Sequence, residues 1–261
     1  MIKIGKDNVK RLLNDVKDII LHPLHDNGIY YIHDDEDMLK GYAMIIGPEE
    51  TPYFGGFYFF EFFYPSNYPY SPPTLKYKTN TNNIRFNPNL YTNEKVCVSI
   101  LNTWNGDQWS SCQSLRTILL TLVSLLNKEP LLNEPGINFT NKEINSYNKI
   151  IEYANIKYAC CDIVLKSKNI YLEMFSIFEN EIVKLFINNH STIRNIILEK
   201  IKEQKSKKIN TCLNKDDINN NSFTEICQLY RISVKINYNE LLEKLDNTLI
   251  YINNKNELKL N

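Results

Sequence analysis

Apolar residues return at helical intervals near the start of the chain: Val9, Leu12, Leu13, Val16, Ile19 and Ile20, with Lys, Arg and Asp between them. That spacing predicts an amphipathic helix with one buried face. Pro23 stops it, because proline lacks the N–H a helix needs and its ring crowds the preceding turn. The pattern then changes. Four short runs rich in aromatic and β-branched residues follow: IYYIH at 29–33, LKGYAMIIG at 39–47, FYFFEFFY at 57–64 and TLKYK at 74–78. The stretches D-D-E-D, P-E-E-T-P-Y-F-G-G and P-S-N-Y-P-Y-S-P-P separate them and supply turn chemistry. Strands so close in sequence pair as an antiparallel meander, since a parallel crossover needs about a dozen residues or more.

Helical periodicity resumes with Leu115, Ile118, Leu119, Leu122, Leu125 and Leu126, a second and mostly buried helix. T-N-K-E at 140–143 reads as a capping box opening a third helix that runs to about Val164. Two further helices are predicted, over Tyr171–Asn188 and from Thr192 to about Lys205. KEQKSKKINTCLNKDDINNNS then reads as a polar linker or long loop, and NYNELLEKLDNTLIYI as a last amphipathic helix. The order is α+β: an N-terminal helix, a four-stranded antiparallel meander, a loop, then helices, with an additional helical C-terminal extension. No internal repeat is visible.

Composition narrows the class. With 43% apolar and 23% charged residues, the 261-residue chain is globular and long enough for a sizeable core. Thirty basic residues balance thirty acidic ones, so no nucleic acid and no membrane is expected as a bulk partner. The N-terminus MIKIGKDNVKRLL is too charged for a signal peptide, and no apolar run approaches about 18 residues. The expectation is a soluble protein of a reducing compartment, in the cytoplasm and also the nucleus. Six cysteines in a chain this long do not form a small disulfide framework, and no pair has C-x-x-C spacing. His190 with Cys212 or Cys227 is the one metal-ligand combination, and its spacing argues against it, so no metal is expected.

The candidate chemistry lies in NPNLYTNEKVCVSIL, residues 87–101. Cys97 stands at the edge of an apolar stretch, eight residues after Asn89. Taken alone it reads as a small buried hydrophobe; with an amide nearby it reads as a nucleophile.

The wider context resembles the ubiquitin-conjugating enzymes over most of residues 1–165. KRLLNDVKDI is similar to that family's first helix. TPYFGGFYFFEFFYPSNYPYSPPTLKY is similar to its P-Y-x-G-G-x-F … F-P-x-x-Y-P-x-x-P-P signature, with the spacing kept. IRFNPNLYTNEKVCVSIL resembles the segment holding the H-P-N motif and the active-site cysteine. Within the family the closer resemblance is to its Z-type members. There too the motif reads N-P-N, an insertion with a second Trp precedes W-S, and N-E-P-G follows the second helix. Residues 1–165 are thus expected to be the catalytic core and 166–261 a helical extension.

The resemblance implies two acyl transfers: from an activating enzyme to a cysteine thiol, then from that thioester to a lysine amine or a ligase. Cys97 would be the nucleophile. Asn89 would steady the oxyanion or hold the loop, and the two roles can coexist. An acidic residue after the second helix commonly handles the amine in this family. An ungapped count from W-S places Asn133 there, whereas Glu134 is the better chemistry. No cofactor is implied, since ATP and Mg act on the upstream activating enzyme. The implied partners are ubiquitin or a ubiquitin-like modifier, an activating enzyme, a ligase and a protein substrate. Partner-binding candidates are Lys10 and Arg11 on the first helix, Tyr70, Pro72 and Pro73 in the proline loop, and Trp104 in the insertion.

The sequence departs from the family pattern in three places. Asn87 stands where His is usual, Asn93-Glu94 replaces Asn-Gly, and Ser110-Ser111-Cys112 replaces Ser-Pro-Ala. Two other classes compete. A cysteine protease needs a His base, and none of His22, His25, His33 or His190 carries a recognisable signature. A non-catalytic ubiquitin-binding module or scaffold of the same fold is the stronger rival.

Overall fold

The computed structural model describes residues 5–81, 84–168, 170–210 and 222–260, with side chains described through 206 and from 222 to 255. Packing divides the chain into two compact units. One is the described part of Met1–Thr51 with Phe57–Asn138; the other is Pro52–Gly56 with the described part of Phe139–Asn261. The third helix packs within the second of these units.

In the first unit α1 spans Lys6–Leu21 and buries Leu12, Val16 and Ile19. Strands β1 (Ile29–His33), β2 (Lys40–Ile46), β3 (Phe57–Phe63) and β4 (Thr74–Tyr77) form one antiparallel sheet in sequence order. The pairs Tyr31–Ala43, Ala43–Phe60 and Phe60–Tyr77 set its register. β3 is buried on both faces over Phe57–Phe60, which accounts for its run of aromatics without polar alternation. α2 (Leu115–Leu125) buries Leu115, Ile118, Leu119 and Leu122. Its capping box is formed by Ser114 and Thr117, each side chain accepting the other's backbone N–H. Arg116 ties α2 to the end of α1, through Asp18 Oδ2 at 2.7 Å and the His22 carbonyl at 2.8 Å.

The second unit departs from the periodicity of its sequence. The N-cap of α3 (Glu143–Ala154) falls on Lys142, whose side chain makes no cap bond, and the Asn141 side chain accepts the Glu143 N–H at 2.8 Å. The helix widens into a π-helical stretch over Asn155–Asp162, where the Asn155 amide donates to the Phe54 carbonyl at 2.9 Å. The two helices expected after Tyr171 are one: a short 3-10 turn over Glu173–Phe178 leads into α4, Glu179–Asn210. Nothing at 188–192 breaks the helix, because His190 is buried in it with its ring 6.0 Å from Phe186. The extension is not purely helical. β5 (Ser222–Cys227) and β6 (Ile232–Asn237) form an antiparallel hairpin before α5 (Tyr238–Leu260). Most of the polar linker lies outside the described residues, as does Cys212.

Candidate active site

Between β4 and α2 the chain folds into tight turns whose side-chain amides replace regular pairing. Asn87 is completely buried. Its amide N–H donates to the Leu125 carbonyl at 2.7 Å, and its Oδ1 accepts the Asn89 N–H at 2.9 Å. One asparagine therefore caps the C-terminal end of α2 and pins the N-P-N turn. Those bonds are what an amide supplies where the family usually has His.

Asn89 in turn grips Cys97. Its Nδ2 donates to the Cys97 carbonyl at 2.7 Å, while the Cys97 N–H donates to the Asn89 carbonyl at 2.9 Å. The Asn89 Oδ1 is buried and accepts no hydrogen bond among the described residues. Cys97 is 1% exposed and is not in a disulfide. His22, His25 and His33 are occupied elsewhere, with Asp18, with the Tyr30 ring, and with Tyr31 and the Met38 carbonyl.

The turn before Cys97 runs through Glu94 at φ 71°, the left-handed region where the family pattern has Gly. Lys78 holds it there, its ammonium 2.9 and 3.0 Å from the two Glu94 carboxylate oxygens and 3.7 Å from Glu61. After Cys97, the Thr103 hydroxyl accepts the Val98 N–H at 3.0 Å and faces the Val96 carbonyl at 2.9 Å, stapling the cysteine segment to the insertion. The insertion closes on itself, since the Trp109 N–H donates to Asn102 Oδ1 at 2.8 Å. Trp104 is half-buried in it. Trp109 donates its indole N–H to the Pro69 carbonyl at 2.6 Å and lies tilted against Tyr68, so it braces the proline loop.

The partner candidates separate. Lys10 is exposed and Tyr70 is 72% exposed, whereas Pro72 is half-buried and Pro73 is buried within the loop. Arg11 is committed internally: it pairs with Asp15 at 3.1 Å and donates to the Ser111 and Gln113 carbonyls at 2.8 and 2.6 Å. It therefore fastens the Ser110-Ser111-Cys112 loop to α1, with Cys112 exposed.

Asn133 and Glu134 also part company. Asn133 donates to the Leu125 carbonyl at 3.1 Å and accepts from Asn127 at 2.9 Å, a structural amide in the same network as Asn87. Glu134 turns its carboxylate toward Arg85, 3.9 Å from Nη2. Arg85 escaped the sequence reading, as did Lys78 and Thr103, whereas Asn87 was noted only for standing where His is usual. The only signal for Arg85 was a cation two residues before N-P-N within an otherwise apolar run. Among the described residues no group of three or more His, Cys, Asp or Glu is placed to hold a metal ion, and no helix is long and apolar enough to cross a membrane.

The family model described as ubiquitin-conjugating enzyme matches residues 11–155, more than half the chain and all of the segment from Lys78 to Glu134. The chain belongs to the ubiquitin-conjugating enzyme family. It is similar to ubiquitin-conjugating enzyme E2 Z of Xenopus tropicalis, 42% identical over 159 residues, 60% of this chain and 50% of that protein. The Homo sapiens E2 Z is 41% identical over 157 residues, covering 59% of this chain and 44% of its own. That of Danio rerio is 35% identical over 187 residues, 70% of this chain and 56% of its own. The chain spans about half the length of these curated relatives. Its α+β order of helix, four-stranded antiparallel sheet and helices is that of the family.

Proposed function

We propose that this chain accepts ubiquitin, or a ubiquitin-like modifier, from an activating enzyme as a thioester on Cys97. It then passes the acyl group to a lysine of a protein substrate or to a ligase. The observation that carries this reading is the double tie between Asn89 and Cys97, which puts a side-chain amide donor at the nucleophile's own residue. In the first step the Cys97 thiolate attacks the carbonyl carbon of the incoming thioester, and the activating enzyme's thiolate leaves. In the second, a lysine amine attacks the Cys97 thioester, the C–S bond breaks, and the amine loses a proton. Both pass through a tetrahedral oxyanion that the Asn89 amide can serve if it releases the Cys97 carbonyl. Glu134 is the group assigned to the amine proton. Asn133, bound in the network below the turn, has no such role. The chain itself uses no cofactor in this reading, ATP and Mg being consumed by the activating enzyme. Lys10, Tyr70 and Trp104 are the side chains assigned to partners.

One observation favours the rival reading, a non-catalytic module of the same fold: Cys97 is almost fully covered. The deciding experiment incubates the full chain with an activating enzyme, ATP·Mg and ubiquitin, and resolves the products with and without reductant. A thiol-sensitive adduct, replaced by a stable ester in Cys97→Ser, supports the carrier reading. Noncovalent ubiquitin binding with no adduct supports the module, and an adduct persisting in Cys97→Ala refutes the role of Cys97.

A further inference from the structure

The guanidinium of Arg85 touches three parts of the site at once. Its Nη2 donates to the carbonyl of Pro88, the residue between Asn87 and Asn89. Its Cζ lies 3.8 Å from the centroid of the Tyr91 ring, two residues past Asn89. The same Nη2 faces Glu134 Oε2 at 3.9 Å across the turn. The side chain is only 18% exposed, so this cation is placed under the turn and not left in solvent. A planar fork with several donors suits such a position: it stacks on the ring with its face while its edge serves a carbonyl and a carboxylate.

We propose that Arg85 is a positioning residue for aminolysis, locking the turn that carries Asn89 and the Glu134 carboxylate into one register. The proposal rests on the reading of Cys97 and Glu134 given above. Only the second acyl transfer has an amine to orient. Charging is thioester exchange between two thiolates, so it needs the Asn89 turn but not Glu134. Arg85 acts on both through one group, and its loss falls more heavily on discharge to lysine than on charging. Orientation errors of about an ångström cost reacting groups on the order of 100-fold, so a loosened carboxylate leaves a measurable deficit.

The test uses the full chain charged with ubiquitin by an activating enzyme and ATP·Mg. ATP is then depleted, and discharge to free lysine is followed across a range of lysine concentration and pH. Wild type, Arg85→Ala and Arg85→Lys are compared in the native and the Glu134→Gln backgrounds, with a melting curve for each. Arg85→Ala is expected to lower the ratio of discharge to charging by ~10-fold. Lysine, which keeps the charge and loses the fork and the stacking, is expected to recover less than half of that loss. In the Glu134→Gln background the ratio shifts by less than about 2-fold, because the group being positioned is gone. If Arg85→Ala does not fold, Arg85→Lys carries the same comparison with a smaller shift. Charging and discharge falling together, in step with the melting temperature, overturn the proposal and leave Arg85 as fold support. An unchanged ratio overturns it as well. A wild-type chain that takes no thioester overturns the reading of Cys97, and this proposal with it.

Discussion

Asn89 and Cys97 hold each other from both ends: the Asn89 side chain donates to the Cys97 carbonyl at 2.7 Å, and the Cys97 N–H donates to the Asn89 carbonyl at 2.9 Å. The Asn89 amide is, at rest, spent on the backbone carbonyl of Cys97. Asn89→Ala leaves the Cys97 carbonyl buried and unpaired, at a cost of about 1–3 kcal/mol. We expect a lower melting temperature together with a loss of discharge on the order of 100-fold. Urea melts and single-turnover discharge report the two separately. A lower melting point with wild-type discharge would confine Asn89 to holding the loop.

Burial should grade the thiols. Cys112 is exposed, Cys97 is 1% exposed, and Cys160 and Cys161 are fully covered. Burial also pushes the last two thiols up, that of Cys161 to about 12. Iodoacetamide is expected to label Cys112 first, Cys97 later, and Cys160 and Cys161 only on unfolding. Peptide mass spectrometry against time gives the order, and labelling of Cys97 as fast as Cys112 would show that its cover is open in solution.

At Glu94 two effects oppose each other. A left-handed conformation costs a non-glycine residue roughly 1–2 kcal/mol, whereas a part-exposed ion pair such as that with Lys78 contributes about 0–1 kcal/mol. Glu94→Gly loses the pair and relieves the strain; Glu94→Ala loses the pair and keeps the strain. The alanine variant should therefore be the less stable of the two by about 1 kcal/mol, measured by denaturant melts. Equal stabilities would mean that φ 71° carries no strain here.

Gly41 faces the buried end of Tyr31. A Cβ at this position would lie 2.1 Å from the Tyr31 hydroxyl, which bonds His33 Nδ1 at 2.8 Å and the Tyr64 hydroxyl at 2.9 Å. Gly41→Ala should cost about 1–3 kcal/mol by forcing the phenol off these partners. Adding Tyr31→Phe should recover only part of that, because the ring carbon remains 2.7 Å away. Full recovery would locate the whole clash at the oxygen.

In the C-terminal unit Glu179 accepts from Lys166 and Lys255, each at 2.9 Å, and these two ammoniums bring its carboxyl down from 4.5 to about 2. A depressed carboxylate stabilises the fold fully above its unfolded value and loses that contribution as pH falls through its folded value. The full chain should thus lose stability between about pH 4.5 and about pH 2 through this group, and Glu179→Gln should flatten that part of the curve. Urea melts across the interval check it; parallel profiles would show that the two lysines leave Glu179 in solution-like surroundings.

The sequence by itself determined the elements whose signals are local. Apolar spacing located α1 and α2, apolar runs separated by turn residues located β1 to β4 to within a residue or two, and motif order singled out Cys97 and Asn89 as candidates. It failed where the signal was missing. The hairpin β5–β6 turns through Gln228–Arg231, with Arg231 at φ 54° and no glycine or Asn-Gly pair to mark it. Two helical patterns proved to be the single helix α4, because burial of His190 carries the helix across a polar stretch that looked like an end. Within the site, tertiary structure decided which polar residues build and which are left to act. Asn87, Asn89, Asn127 and Asn133 are chemically alike in sequence, yet one grips the cysteine, while the other three serve each other and the Leu125 carbonyl that ends α2. Buried carbonyls must find donors, and which asparagine meets which carbonyl depends on how the chain returns from the turn to the helix end. Only the folded chain brings Arg85 against Pro88, Tyr91 and Glu134, residues up to 49 positions away.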